Sequence, residues 1–311
     1  MATQVDESAS GAGAEQFDGA AFRELVESVK KGRCILFLGA GVHYPPPEDS
    51  SFTYSEEQRP PLARALAQRL ALKCDFSKIC KNESDENLQR VALCYERELT
   101  RKKLVEQIKQ AVDDKTRPSA AVRALAELPF PLVMTTNYDT LFERALQRDG
   151  VDKRPQVGVY SPRRFEPTRD YSGDGDPTED RPFVFKVHGD VSAADSIVVT
   201  DEDYITFVLR MNEGSEVLHP IPQTFRYRFN KVPTLFVGYG LLDFNLRLLF
   251  RTMRWRLDVA DRPESYAVDK YPDPLVSEEW RKDQGLRFIV EDVWNFVPRL
   301  YREVLGREMP S

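Results

Sequence analysis

The sequence predicts an α/β protein: a Rossmann-like parallel sheet flanked by helices, with a smaller inserted helical module. Continuous apolar runs, such as residues 34–38 and 234–237, are typical of strands buried on both faces of a parallel sheet. These runs alternate with helical stretches, which is the pattern of a doubly wound sheet. A third observation is that residues 62–128 have helical periodicity and no strand pattern, which indicates a helical module inserted between the first two strands.

Composition limits the classes of function. The chain has 311 residues, of which 41% are hydrophobic and 30% charged, as in ordinary globular proteins. Its net charge of −6 does not attract phosphate backbones, so we expect no direct nucleic-acid binding. No apolar signal segment or membrane-spanning run of ~20 residues is present, which favours a cytoplasmic protein away from membranes. The four cysteines form no C-x-x-C pair, so we expect reduced thiols and no zinc ribbon.

The first elements follow from local patterns. Residues 1–18 are small, polar and aperiodic, which predicts a disordered tail ahead of a single unit over 19–311. A helix is expected to begin near Asp18, because apolar residues then recur on one face. The first strand, 34–38, ends at a Gly-Ala-Gly sequence. Inside the helical module we predict helices from Leu62, over 87–98 and over 103–112.

The second half of the chain supplies the rest of the sheet. Short apolar runs there are separated by helical candidates that follow Thr140, Asp201 and Leu242. The predicted strands are 132–135, 183–187, 197–199, 234–237, 265–268 and 286–290.

Four of the predicted strands end in residues that are unusual for a core. Ligands of open α/β sheets bind outside the carboxyl ends of the strands, so these ends are expected to meet in one crevice. The four sequences are Gly39-Ala40-Gly41, Asn137-Tyr138-Asp139, His188-Gly189-Asp190 and Gly238-Tyr239-Gly240.

The glycine sequences have two interpretations. Glycine lets the backbone turn tightly and approach a pyrophosphate, so Gly39, Ala40 and Gly41 are candidates for phosphate binding. The alternative is a simple strand-exit turn, because the third glycine of the dinucleotide fingerprint is absent and Tyr44 stands in its place. Gly238 and Tyr239 repeat the pattern and are candidates for contacting a ribose or the phosphates.

The polar side chains also have structural alternatives. His188 can accept a proton from water or a sugar hydroxyl, or it can simply bond to the backbone at a strand end. Asn137 can orient a water or a ribose hydroxyl, and Asp139 can hold a polar substrate group, but both residue types also cap helices. His43 is a candidate for lining the same crevice, but the favoured interpretation is a loop histidine. Asp243 and the stretch 200–203 are interpreted as capped helix starts.

In order and spacing, these sequences resemble the SIR2-like (sirtuin-fold) domain. The resemblance covers about 30–295 and includes the Val-Val-Thr-Asp-Glu-Asp-Tyr stretch at 198–204, which is typical of the bacterial branch. It implies NAD⁺ binding on a Rossmann-like sheet. Deacylases of the family carry a four-cysteine zinc ribbon and a Gly-Thr-Ser sequence where this chain has Gly-Tyr-Gly, so the resemblance favours the bacterial NAD⁺ hydrolases that act against phage by depleting NAD⁺.

The resemblance also implies roles for individual residues. Asn137 and His188 match the residues that carry hydrolysis, Asp139 matches the one that holds the nicotinamide carboxamide, and no metal is implied. The predicted reaction gives nicotinamide and ADP-ribose. The alternatives are NAD⁺-dependent lysine deacylation and a non-catalytic module that senses NAD⁺ or ADP-ribose. Because an uncontrolled NAD⁺ hydrolase would be toxic, we expect control by homo-oligomerisation or by a regulatory partner protein.

Overall fold

The computed structural model describes residues 19–162, 175–212, 219–240, 247, 249, 250 and 262–311. The expected disordered tail, 1–18, lies outside these residues. So do Asp243 and most of the helix that we expected after Leu242.

The described residues form one sheet of seven parallel strands, which confirms the predicted α/β class. In space the order is β3-β4-β2-β1-β5-β6-β7, so β2, β3 and β4 lie on one side of β1, with β4 between the other two, and the chain then crosses to β5 on the other side. The strands are β1 (Ile35–Leu38), β2 (Leu132–Thr135), β3 (Gln156–Val159), β4 (Phe183–Lys186), β5 (Thr234–Val237), β6 (Ser265–Val268) and β7 (Leu286–Ile289).

Helices connect the strands and cover the sheet. Several begin at side-chain caps: Asn87 and Ser119, for example, each accept a hydrogen bond from the backbone N–H three residues later. The helices are α1 (Gly19–Lys30), α2 (Ala63–Lys73), α3 (Phe76–Ile79), α4 (Leu88–Glu98), α5 (Arg101–Val112), α6 (Ala120–Glu127), α7 (Leu141–Leu146), α8 (Asp201–Asn212), α9 (Gln223–Phe229), α10 (Pro274–Gln284) and α11 (Val293–Leu305).

Strand β1 shows why the apolar runs predict a doubly covered sheet. Side chains of a strand point alternately to the two faces, and here Leu36 and Leu38 pack with α1, α6 and α11. Ile35 and Phe37 pack instead with α8, α9 and α10 on the opposite face. All four side chains are buried, so no position in this strand is left for a polar residue.

Helices α2 to α5 have an apolar core of their own. It contains Leu66 and Leu70 of α2, Val91 of α4 and Ile108 of α5. No strand interrupts the described residues between β1 and β2. This core also takes in Ile197 and Val199, which join it to the carboxyl end of the sheet.

Two strand predictions need correction. The strand expected at 197–199 is wrong: Ile197 and Val199 face the helical core while Val198 faces the sheet core, so the segment is apolar because two cores cover it. The prediction also missed the edge strand β3. Its sequence, Gln-Val-Gly-Val, is only weakly apolar, and Gly158 lies against the rings of Phe183 and Phe185, where a side chain would collide.

No helix within the described part of the chain has both the length and the apolar character that a bilayer crossing requires. All four cysteines are free in the structure. Cys34 lies in the core beneath the sheet, whereas Cys74, Cys80 and Cys94 lie in or against the helical core, so the four do not come together.

Candidate active site

The carboxyl ends of β1, β2, β4 and β5 border one cavity of about 930 Å³. It lies at the boundary between β1 and β5, where β1 leads to β2 on one side of the sheet and β5 leads to β6 on the other, which is the usual ligand site of such sheets. Its volume is near the upper end of the ~300–1,000 Å³ that is typical of small-molecule pockets. Of the residues predicted for the site, those that line it are Ala40, Gly41, Asn137, Asp139, His188, Gly238 and Tyr239.

The two glycine loops pack directly against each other. The Gly41 N–H donates to the carbonyl oxygen of Gly238 at 2.8 Å, and Gly238 has a positive φ of 77°. A methyl group on Gly39 would lie 2.5 Å from the same carbonyl oxygen, and one on Gly238 would lie 2.2 Å from the backbone nitrogen of Val42. These glycines are therefore required for the contact between the two loops.

The contact between the two glycine loops determines which backbone N–H groups are left to bind a ligand. The Gly39 N–H donates to Val237 O at 3.0 Å, and the Gly41 N–H is used as described. Gly39 itself does not line the cavity, because it lies beneath the Tyr239 ring. Of the three N–H groups at 39–41, only that of Ala40 donates to no described residue, and Ala40 is exposed to the cavity.

Asn137 is fixed from two sides. Its backbone N–H donates to the Thr135 hydroxyl at 3.0 Å, and its side-chain Nδ2 donates to Gly39 O at 3.4 Å. Its Oδ1 is buried and accepts no hydrogen bond from the described residues. Buried polar atoms without partners are uncommon, so this acceptor beside the cavity is suited to a hydroxyl or a water that binds there.

His188 lies on the wall formed by the end of β4. The side chain is only 6% exposed, and its Nδ1 is 3.4 Å from the Tyr204 hydroxyl. The rings of Tyr204 and Phe207 pack edge-on against the imidazole, with centroids 5.1 and 5.8 Å away. Asn137 and His188 therefore border the same cavity, although 51 positions separate them in the sequence.

The turn after His188 depends on Gly189. Its φ is 90°, and a methyl group on it would lie 2.2 Å from Ser196 O. The His188 carbonyl oxygen accepts the Val198 N–H at 2.9 Å, so the segment that we had predicted as a strand instead holds the histidine in place.

Asp139 is a buried carboxylate in the cavity wall. Its Oδ1 accepts the Leu141 N–H at 3.0 Å at the start of α7, so the helix-start alternative is present in the structure. Its Oδ2 lies 3.4 Å from His43 Nε2. Burial acts to raise the pKa of Asp139, but the neighbouring His43 and Lys186 more than offset it, so the pKa lies below its ordinary value.

His43 is more than a loop histidine. It is buried at the end of the short 3₁₀ helix Ala40–His43, and its Nδ1 lies 3.4 Å from the Tyr54 hydroxyl. Tyr54 in turn donates to Arg117 O at 2.9 Å. These contacts extend outward from the cavity wall at Asp139 and His43, and no sequence pattern predicts them because the partners are distant along the chain.

Lys186 is a structural residue that the sequence interpretation missed. It is fully buried, and its Nζ forms ion pairs with Glu143 Oε1 at 3.0 Å and with Asp190, and donates to Asp139 O. Burial acts to lower its pKa, but the carboxylates outweigh this, so the pKa is raised. A lysine within an otherwise apolar strand was the available signal, since buried lysines are nearly always paired.

The predicted helix start at 200–203 is confirmed. Thr200 Oγ1 accepts the Asp203 N–H at 3.2 Å, and Asp203 Oδ2 accepts the Thr200 N–H at 3.1 Å, which is a reciprocal capping box. Arg101 of α5 lies 2.8 Å from the same Asp203 oxygen. Because Tyr204 follows directly, this cap fixes the hydroxyl that reaches His188.

The family called SIR2-like domain matches residues 131–289, which is just over half of the chain and includes β2 to β7 with Asn137 and His188. This chain belongs to that family. The expected resemblance is therefore confirmed.

The proteins similar to this chain include NAD(+) hydrolases and a defence-associated sirtuin. The chain is 22% identical over 303 residues, 91% of its length, to the protein named NAD(+) hydrolase ThsA from Acinetobacter baumannii (strain 532279). It is 27% identical over 245 residues, 78% of its length, to NAD(+) hydrolase ThsA from Enterococcus faecium. It is also 25% identical over 274 residues, 86% of its length, to Defense-associated sirtuin 2 from Bacillus subtilis.

The relatives are longer than this SIR2-like chain. The alignments span 55% of the Acinetobacter protein, 44% of the Enterococcus protein and 24% of the Bacillus protein. The likeness therefore concerns about half, or less, of each relative.

Proposed function

We propose that this chain is an NAD⁺ hydrolase that cleaves the nicotinamide–ribose bond to give nicotinamide and ADP-ribose. The observation that carries the proposal is that Asn137 and His188 border one cavity, with the Asn137 Oδ1 buried and unpaired among the described residues. The names of the NAD(+) hydrolase relatives support the same activity.

The chemistry suits these residues. The nicotinamide ring nitrogen of NAD⁺ carries a positive charge. Nicotinamide therefore departs as a neutral molecule, and no general acid is needed. The transition state resembles an oxocarbenium ion, as in glycoside hydrolysis. His188 acts as the base that activates a water or draws on a ribose hydroxyl, and Asn137 Oδ1 orients that group.

Other residues bind the rest of NAD⁺. The Asp139 carboxylate has lone pairs left after its hydrogen bond from the Leu141 N–H and its contact with His43, and it accepts from the nicotinamide carboxamide. The Ala40 N–H donates to the diphosphate. Gly41, Gly238 and Tyr239 shape the wall against which the diphosphate and ribose lie, and Gly39 supports that wall from beneath Tyr239.

We further propose a cytoplasmic defence role, in which the protein depletes NAD⁺ when activated. One relative is named as defence-associated, which supports this role. Restraint in the absence of a trigger comes from a homo-oligomeric state or from a regulatory partner protein. Native mass measurement of a fully active sample checks this, because an active lone monomer would contradict it.

The direct test is incubation of the purified chain with NAD⁺, followed by chromatography. Equal amounts of nicotinamide and ADP-ribose are expected, and adding an acylated peptide should not change the rate. Consumption that depends on the peptide would instead indicate a lysine deacylase. Tight NAD⁺ binding without turnover, in the presence of candidate activators, would indicate a sensing module and refute the proposal.

A further inference from the structure

A second cavity lies beside the first and is lined by arginines. Its volume is about 400 Å³, and we call it the arginine cavity. Arg117 precedes α6, Arg123 lies on α6, Arg144 lies on α7, and Arg148 follows α7. The remaining lining residues are Thr53, Tyr54, Gln58, Pro118, Ser119, Ala120 and Ala145, so no carboxylate lines the cavity.

The four guanidinium groups have few partners. Within the described part of the chain only Arg148 is paired with an acidic side chain, Glu127, which Arg307 and the Tyr301 hydroxyl also contact. The Arg148 Nε is buried and makes no hydrogen bond there.

The other three guanidinium groups contact only backbone oxygens or nothing. Arg123 donates to Pro118 O at 3.1 Å and to Ser311 O at 3.0 Å, and Arg144 donates to Thr116 O at 3.4 Å. The Arg117 side chain is exposed and donates to no described residue. Arg117 and Arg144 thus have no carboxylate partner among the described residues.

This concentration of positive charge is unusual in a chain with a net charge of −6. Like charges in a partly buried space repel each other, which destabilises the charged forms. Burial and the neighbouring Arg148 accordingly lower the pKa of Arg123. An anion in the cavity would relieve this repulsion and use the free guanidinium donors. Arginine is the side chain best suited to hold phosphate oxygens through paired N–H donors.

We propose that the arginine cavity binds the phosphate groups of a small anionic molecule. A volume of about 400 Å³ is near the lower end of the ~300–1,000 Å³ of small-molecule sites, so a compact diphosphate-sized ligand fits. The first turn of α6, at Ser119 and Ala120, borders the cavity and adds a favourable dipole to the guanidinium charges. A nucleic-acid strand is disfavoured, because the site is a concave pocket on an acidic protein.

The arginine cavity is separate from the candidate active site. Tyr54 and His43 stand between them, and no arginine of the second cavity lines the first. The two sites can therefore be tested with different variants.

The test is calorimetric titration of the full chain with inorganic pyrophosphate at low salt. The expected result is binding that weakens as salt is raised and that falls about tenfold in Arg117→Gln, from the loss of one charged donor. The matched control is Arg69→Gln on α2, an exposed arginine that lines neither cavity. It should bind pyrophosphate like wild type.

Arg117→Gln is chosen because its exposed side chain has no described partner, so the variant should fold; circular dichroism checks this. A double variant, Arg117→Gln with Arg144→Gln, should lose binding further. Absence of pyrophosphate binding to wild type, or equal binding by wild type and Arg117→Gln, overturns the proposal. So does preferential, Arg117-dependent binding of a single-stranded oligonucleotide over pyrophosphate, which would assign the surface to nucleic acid.

Discussion

Replacing Lys186 with methionine should destabilise the fold strongly. Methionine fills nearly the same space but leaves Glu143, 3.0 Å from the present Nζ, and Asp190 without their buried cation. Removing one partner of a buried ion pair typically costs ~3–5 kcal/mol, because the remaining charge is desolvated and unpaired. Native domains are stable by only ~5–15 kcal/mol, so this loss is a large part of the total.

Urea unfolding followed by circular dichroism measures the effect. The matched control is Lys78→Met, where an ion pair of 2.9 Å with Asp75 is exposed and should contribute ~0–1 kcal/mol. Adding Glu143→Gln to Lys186→Met should recover part of the stability, since one uncompensated charge is then removed. A Lys186→Met protein within ~1 kcal/mol of wild type would refute the view that Lys186 stabilises the fold by pairing with Glu143 and Asp190.

Two further predictions concern the supports of His188. Gly189→Ala should lower the melting temperature, because φ of 90° is unfavourable by ~1–2 kcal/mol for alanine and the methyl group would lie 2.2 Å from Ser196 O. The control, Gly240→Ala, has nothing within 4 Å of its added methyl group and should be near neutral. Equal melting temperatures of the two variants would contradict this prediction. Burial acts to raise the pKa of Asp203, but Arg101 and two backbone N–H groups lower it by more, so the pKa lies below its ordinary value. Its contribution is therefore present above the unfolded pKa of ~3.9 and is lost as pH falls through the lower folded value. Asp203→Asn should cost ~1–3 kcal/mol in urea unfolding at pH 7, and the difference should shrink below pH ~4; a difference that does not vary with pH would count against the ion pair.

Most of the sheet could be predicted from the sequence, because a strand buried on both faces must be continuously apolar. Apolar runs gave β1, β2 and β4 to β7 within a residue or so, although edge strand β7 is only partly buried and contains the exposed Arg287. The rule failed at 197–199, where Ile197 and Val199 are apolar because they cover the helical core, and at edge strand β3, which contains Gln156 and Gly158.

The candidate site was predictable for a different reason. Parallel strands end at the same edge, so polar residues at strand ends meet even when they are far apart in sequence, as Asn137 and His188 do. What could not be predicted are the contacts between loops and helices. The pairing of Lys186 with Glu143 and the approach of Tyr54 to His43 depend on side-chain geometry that has no periodic signal.

The measurement that tests the central claim most directly separates NAD⁺ binding from NAD⁺ turnover in His188→Ala and Asn137→Ala. If both side chains act on the bond being cleaved, turnover should fall ~100-fold or more in each variant while the dissociation constant for NAD⁺ stays within a few-fold of the wild-type value. Variants that keep turnover within a few-fold of wild type would contradict the assignment of the reaction to this cavity.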